Sequence, residues 1–137
     1  MKEKILISEL LGIHDGMLIK LINEPPEYRS KINNELSSRV TLLNKLNRKV
    51  DNIQLFVKSK NELIVDLPVL KKYIQGNGFI TVFWPNSKSN TVSDIQTEVI
   101  QIIANQNGLE VQSTLIIDEN WCASKLFKLS HNELSKN

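Results

Sequence analysis

Short apolar runs alternate along this chain with segments patterned at helical spacing. The strongest run, Phe79-Ile-Thr-Val-Phe-Trp84, is apolar apart from Thr81. A strand apolar on both faces is covered on both faces, as in a parallel sheet between helices. Met17–Ile22 carries one charge and reads as a second buried strand, launched from the Asp15-Gly16 turn pair. Ile53–Val57 reads as a third, bounded by Asp51-Asn52 and Lys58-Ser59. Arg39–Leu43 reads either as a short strand or as part of a mostly helical stretch from Ser37 to Asn52.

Helices fill the intervals. Lys4–Leu11 predicts a short one, stopped by Gly12. Pro25-Pro26 opens one running to Leu36, because proline suits the first helical turn. Ser59 with Glu62 three residues on is a capping box opening a helix through Leu63, Ile64 and Leu67. Pro68 is expected to kink or split that helix, and Gly76 and Gly78 to close its second piece. Thr91, with Asp94 in the first turn, predicts the cap of a helix whose apolar positions are Val92, Ile95, Val99, Ile102 and Ile103, ending at Asn107-Gly108. Val111–Ile117 and Trp121–Leu129 are strands joined by Asp118-Glu119-Asn120, too close together for a crossover. The expected fold is therefore α/β and three-layered, with a mostly parallel sheet, right-handed crossover helices and a C-terminal antiparallel hairpin. The expected organisation is one domain over residues 1–129 and a polar tail from Ser130.

A parallel α/β sheet ending in an antiparallel hairpin resembles class I S-adenosylmethionine methyltransferases. In that Rossmann-like architecture, of which this chain looks like a shortened form, the last strand inserts beside the strand two elements earlier. The resemblance puts Trp121–Leu129 between Phe79–Trp84 and Val111–Ile117. A full enzyme has two more helix–strand units between the first strand and the one at Ile53 than this chain has room for. More specifically, the chain resembles an uncharacterised bacterial family known only as a domain of unknown function. The residues that carry this likeness are Leu11-Gly12-Ile13, Gly16-Met17, Phe56-Val57, Trp84-Pro85, Gly108-Leu109 and Asp118-Glu119-Asn120-Trp121. Members carry a lysine after the Trp-Pro pair and Ser-Gly after the second tryptophan; here those places hold Asn86 and Cys122-Ala123.

Ligands of open parallel sheets bind outside the carboxyl ends of the strands. That rule gathers one candidate rim from Glu24, Lys58, Ser59, Trp84, Asn86, Asp118, Glu119 and Trp121. Trp84 and Trp121 read either as core caps or as an aromatic wall for a flat or cationic ligand. Asp118 and Glu119 read either as an acid/base pair or as shapers of the turn, and Lys58 as an ion-pair partner of Glu119.

The turn after the first strand, Asn23-Glu24-Pro25-Pro26, has no glycine and loses two amide donors to proline. Asn44 stands where an acid would close the second strand. No cofactor is therefore expected in the usual manner. Cys122 has no base partner in the rim, since His14 lies in an early turn and His131 in the tail; one cysteine and two scattered histidines also argue against zinc.

Net charge is +2, from 17 basic and 15 acidic residues. Lys45, Arg48 and Lys49 are the densest basic stretch and read as a solvated face, so no nucleic-acid partner is expected. A single cysteine excludes an internal disulfide and suits the cytoplasm. No signal peptide or membrane span is evident in the apolar pattern. The function so read is a non-catalytic module binding a small ligand or a protein. The alternatives are a small enzyme, a divergent S-adenosylmethionine-dependent methyltransferase, and a subunit that pairs with a second copy of itself.

Overall fold

The computed structural model describes residues 6–129. The start of the first predicted helix and the tail from Ser130 lie outside the described residues. The element order is α1 (Ile7–Leu10), β1 (Leu18–Ile22), α2 (Pro26–Glu35), β2 (Thr41–Leu43), β3 (Val50–Phe56), α3 (Lys60–Leu70), β4 (Ile74–Pro85), α4 (Thr97–Gln106), β5 (Leu109–Ile116) and β6 (Trp121–Lys128).

One six-stranded sheet has the order β2-β1-β3-β4-β6-β5. Strands β1 to β4 run parallel; β6 runs antiparallel to both β4 and β5. The last strand is thus inserted between β4 and β5, as the methyltransferase resemblance implies. The interval between β1 and β3 holds one helix–strand unit, α2 and β2.

Two hydrophobic clusters cover the two faces of this sheet, which makes the three layers. On one face, Leu63, Leu67 and Leu70 of α3 and Ile100, Ile103 and Ala104 of α4 pack over Ile53, Leu55, Ile80, Val82 and Trp84. On the other, Ile7 and Leu11 from the α1 region and Tyr28 and Ile32 of α2 pack over Ile19, Leu21, Phe56 and Phe83. Alternation from Ile53 along β3 and from Phe79 along β4 sorts their side chains between the faces, and each fully buried aliphatic side chain contributes about 1.5–3 kcal/mol.

The second face also holds a polar chain with no access to water. The Tyr28 hydroxyl donates to Gln54 Oε1, Gln54 Nε2 donates to Asn52 Oδ1 at 3.1 Å, and Asn52 Nδ2 donates to Thr81 Oγ1 at 3.1 Å and to the Phe79 carbonyl at 3.0 Å. Each buried polar group is thereby partnered, as burial in a low-dielectric core requires.

Three expectations need correction, and one open alternative is decided. Pro68 does not split its helix: α3 is continuous to Leu70 and tightens into a 3-10 turn over Lys71–Tyr73. The proline sits in the last turn, where the one hydrogen bond it removes leads back to Ile64 on the exposed side. Gly76 and Gly78 close no helix. They lie inside β4, where the ladder slips between the pairs Val50–Ile74 and Asn52–Phe79. Gly76 has φ +52, and a Cβ on Gly78 would stand 2.5 Å from the Asp51 carbonyl oxygen, so the slip needs both glycines. Thr91 caps no helix either. Residues 91–96 have no regular structure, α4 starts at Thr97, and Val92 is 95 % exposed. Asp94 caps a different helix: its carboxylate accepts from the Lys60 N–H at 2.7 Å, beside the Ser59 cap of α3. Finally, the Arg39–Leu43 region resolves to a strand, Thr41–Leu43, paired with β1.

Candidate functional site

At the carboxyl end of β1 the chain turns through Asn23 with φ 61, the one non-glycine residue with a left-handed backbone among those described. Asparagine is one of the few residues besides glycine that visit this region, as its short polar side chain can hydrogen-bond locally. The turn leads into Pro25 as N-cap and Pro26 as first helical residue of α2. It leaves a cleft of about 530 Å³ over the ends of β1, β3 and β4, closed on one side by the start of β6.

Two aromatic rings and four charges line this cleft. Trp121 is half-buried and stands edge-on to Phe56, their centroids 5.0 Å apart; Phe56 in turn stacks on Phe83 at 4.2 Å. Glu24, Glu27 and Glu62 face it with one cation, Lys58. Arg29 pairs with Glu24 at 3.0 Å, and its other amino group reaches Asn44 Oδ1 at 3.2 Å. Glu62 accepts from the Lys58 N–H at 2.8 Å and from Ser59 Oγ at 3.1 Å, which fixes its carboxylate by the capping box of α3.

Of the eight rim residues read from the sequence, the structure brings Glu24, Lys58 and Trp121 into this cleft. Trp84 and Asn86 line a second groove instead, on the opposite face of the sheet. The reason is register: Trp84 pairs with Cys122 and Pro85 with Trp121, so the two indoles point to opposite faces and no cavity lies between them. Ser59, Asp118 and Glu119 line neither. Ser59 is the α3 cap. Asp118 Oδ1 accepts from the Asn120 and Trp121 N–H groups at 2.8 and 2.9 Å and so builds the hairpin turn. Asn86 fastens that turn to β4: its Nδ2 donates to the Asp118 carbonyl at 2.8 Å and its N–H to the Asn120 carbonyl at 2.9 Å. Glu119 is exposed, and among the described residues it makes no ion pair with Lys58.

Sequence reasoning missed Asn23, Glu27, Phe56 and Glu62 as cleft residues. Glu62 was visible as a cap, and a cap at the end of β3 lies at the same sheet edge as Glu24. Cys122, buried under the second groove, has its thiol pushed up by burial and by the nearby Asp118 carboxylate. Among the described residues, no three His, Cys, Asp or Glu side chains are grouped to hold a metal ion.

No protein-family model matches the chain, and no curated protein matches it in sequence. Solved structures do match. Magnesium protoporphyrin IX methyltransferase from Synechocystis PCC 6803 with bound S-adenosylhomocysteine is 8% identical, with a TM-score of 0.59 over 88% of this chain and 78% of that one. A methyltransferase from Aquifex aeolicus described as dependent on S-adenosylmethionine is 13% identical, with a TM-score of 0.55 over 90% of this chain and 88% of that one. The pyocyanin biosynthetic protein PhzM is 12% identical, with a TM-score of 0.59 over 89% of this chain and 53% of that one. The chain therefore has the Rossmann-like fold of the S-adenosylmethionine-dependent methyltransferases.

Proposed function

We propose that the carboxyl-edge cleft binds S-adenosylmethionine or its demethylated product, and that the chain is a small, divergent methyltransferase. The observation that carries this reading is the cleft's own chemistry. Three carboxylates, one of them paired with Arg29, and one ammonium surround a half-buried indole, at the sheet edge where ligands of this fold class sit. A sulfonium cation is attracted by the negative surround and by the electron-rich ring of Trp121. The left-handed turn at Asn23 supplies the backbone bend that a glycine otherwise supplies. The fold neighbours that carry S-adenosylmethionine or S-adenosylhomocysteine support the ligand class.

The residues fit the cationic part of such a ligand better than its anionic and ribose parts. Pro25 and Pro26 offer no amide donors, and Asn44, engaged by Arg29, replaces an acid beyond β2. That departure favours a second reading: a module that binds the ligand, or a protein partner, without transferring a methyl group.

Calorimetry with S-adenosylmethionine and S-adenosylhomocysteine tests both readings. The sulfonium form is expected to bind more tightly than the neutral thioether. At a hundredfold excess over Kd, a bound ligand adds about 2.7 kcal/mol of stability, readable as a melting shift. Binding of neither compound ends the first reading. Binding with no transfer of a labelled methyl group to any component of a cell extract selects the second.

A further inference from the structure

Across the sheet from the cleft, a groove of about 680 Å³ runs between the 86–96 segment and the ends of β5 and β6. Its floor is apolar and buried, under a largely polar rim: Trp84 is 7 % exposed, Ile95 5 % and Cys122 8 %. The indole is fixed from behind, since Trp84 Nε1 donates to Ser124 Oγ at 3.2 Å, and Ser124 in turn meets Thr114 Oγ1 at 3.0 Å. Two aliphatic side chains flank this floor and stay in water, Val92 at 95 % and Ile116 at 73 % exposure. Glu98 is the one formally charged side chain in the lining, against four in the first cleft. The two sites therefore differ in chemistry although Pro85 and Thr91 border both.

The 86–96 segment is held at both ends. Asn86 ties it to the hairpin turn, and Asp94 ties it to the start of α3. Between these anchors Val92 is held over the groove's lip, with no described apolar partner to explain it. At the groove's α4 end the helix begins at Thr97 without a side-chain cap; the Val99 N–H turns back to the Gln96 carbonyl at 3.0 Å, and the Thr97 and Glu98 N–H groups have no side-chain acceptor.

We infer that this groove is a second ligand site, one for a neutral, largely apolar molecule carrying a hydrogen-bond acceptor such as a ketone oxygen. The apolar body covers Trp84, Val92 and Ile116. The acceptor meets the open start of α4. The lining carries one carboxylate against three in the first cleft, so the cationic ligand proposed there favours the first cleft and the two sites do not compete. The volume falls within the range of ordinary small-molecule pockets, roughly 300–1,000 Å³.

The neutral aromatic ketone prodan is the probe. The Trp121→Phe variant leaves Trp84 as the sole tryptophan, since the chain has two. Titration with prodan is expected to give saturable energy transfer from Trp84 at one site per chain, and in the unaltered chain the rise of prodan's own emission is expected to saturate at the same affinity with and without S-adenosylmethionine. Val92→Asp and Ile116→Asp, both at exposed positions and checked by melting, are expected to weaken it tenfold or more. Non-saturable transfer, or equal affinity in both folded variants, overturns the inference. Light scattering supplies the third outcome: a dimer that Ile116→Asp dissolves makes the groove a contact between copies of the chain and overturns the small-molecule assignment.

Discussion

Trp84 and Trp121 sit at the ends of neighbouring antiparallel strands, yet their rings lie on opposite faces of the sheet. Trp84 opposes Cys122, whereas Trp121 opposes Pro85. The pleat then separates them: Trp84 joins the core under α3 and α4, and Trp121 packs on Phe56 at the cleft. Trp84→Ala is expected to cost about 3–5 kcal/mol in denaturant unfolding, as for a core tryptophan. Trp121→Ala is expected to cost about 1–2 kcal/mol, since its ring is half in water and loses chiefly one edge-on aromatic pair. S-adenosylmethionine is expected to quench the fluorescence of Trp84→Phe, which retains Trp121, and to leave that of Trp121→Phe unchanged.

The buried Tyr28 hydroxyl gives the fold a pH dependence. Burial first, then the Glu35 and Glu24 carboxylates, push this phenol well above its ordinary value of 10.0. The native state therefore keeps a proton that the unfolded chain releases near pH 10. Stability from this residue is complete below that value and declines as pH rises above it. In a Tyr73→Phe variant, the tyrosinate absorbance of Tyr28 is expected to appear together with the loss of far-ultraviolet circular dichroism. A phenolate signal from a still-folded chain would contradict this.

Tyr28→Phe isolates the hydrogen bond itself. It leaves Gln54 Oε1 without its donor in a site closed to water, at an expected cost of about 1–3 kcal/mol in unfolding free energy.

Gly78 sets the slip in the β3–β4 ladder. An added Cβ would meet the Asp51 carbonyl at 2.5 Å and the Gln75 carbonyl at 2.8 Å, both backbone atoms that cannot swing aside. Gly78→Ala is expected to destabilise by about 1–3 kcal/mol, read as a lower denaturation midpoint at unchanged slope.

Cys122 is a slow thiol. Burial and the charge of Asp118 both disfavour its thiolate, the reactive form. Reaction with a thiol-specific reagent at pH 8 is expected to lag well behind free cysteine until denaturant is added. Asp118→Asn keeps the acceptor of the turn but removes the charge, so it is expected to speed labelling with little change in melting.

The architecture was legible in the sequence to the extent that apolar pattern alone decides it. Phe79–Trp84 reads as a doubly buried strand because both of its faces are apolar, and all eight of Phe79 to Asn86 are buried. The closing hairpin follows from the shortness of Asp118-Glu119-Asn120. Local rules misled where tertiary contacts override them. Asp94 looks like a first-turn acid of its own helix, but its carboxylate serves α3, 34 residues away in sequence. Gly76 and Gly78 look like a helix stop, but Gly76 supplies a left-handed backbone at the slip and Gly78 avoids a clash with the Asp51 carbonyl of β3. The rim was legible as a sheet edge and not as a site. Which face each rim residue takes depends on register, and the pairing of Pro85 with Trp121 is written in no single segment.

The position of β6 orders the folding of the chain in time. It lies between β4 and β5 although it follows both in sequence. While a ribosome is still making residues 121–128, the most hydrophobic strand has a bare flank with unsatisfied amides and carbonyls. Exposed edges of this kind recruit other strands, so the nascent domain needs shielding until its central gap is filled.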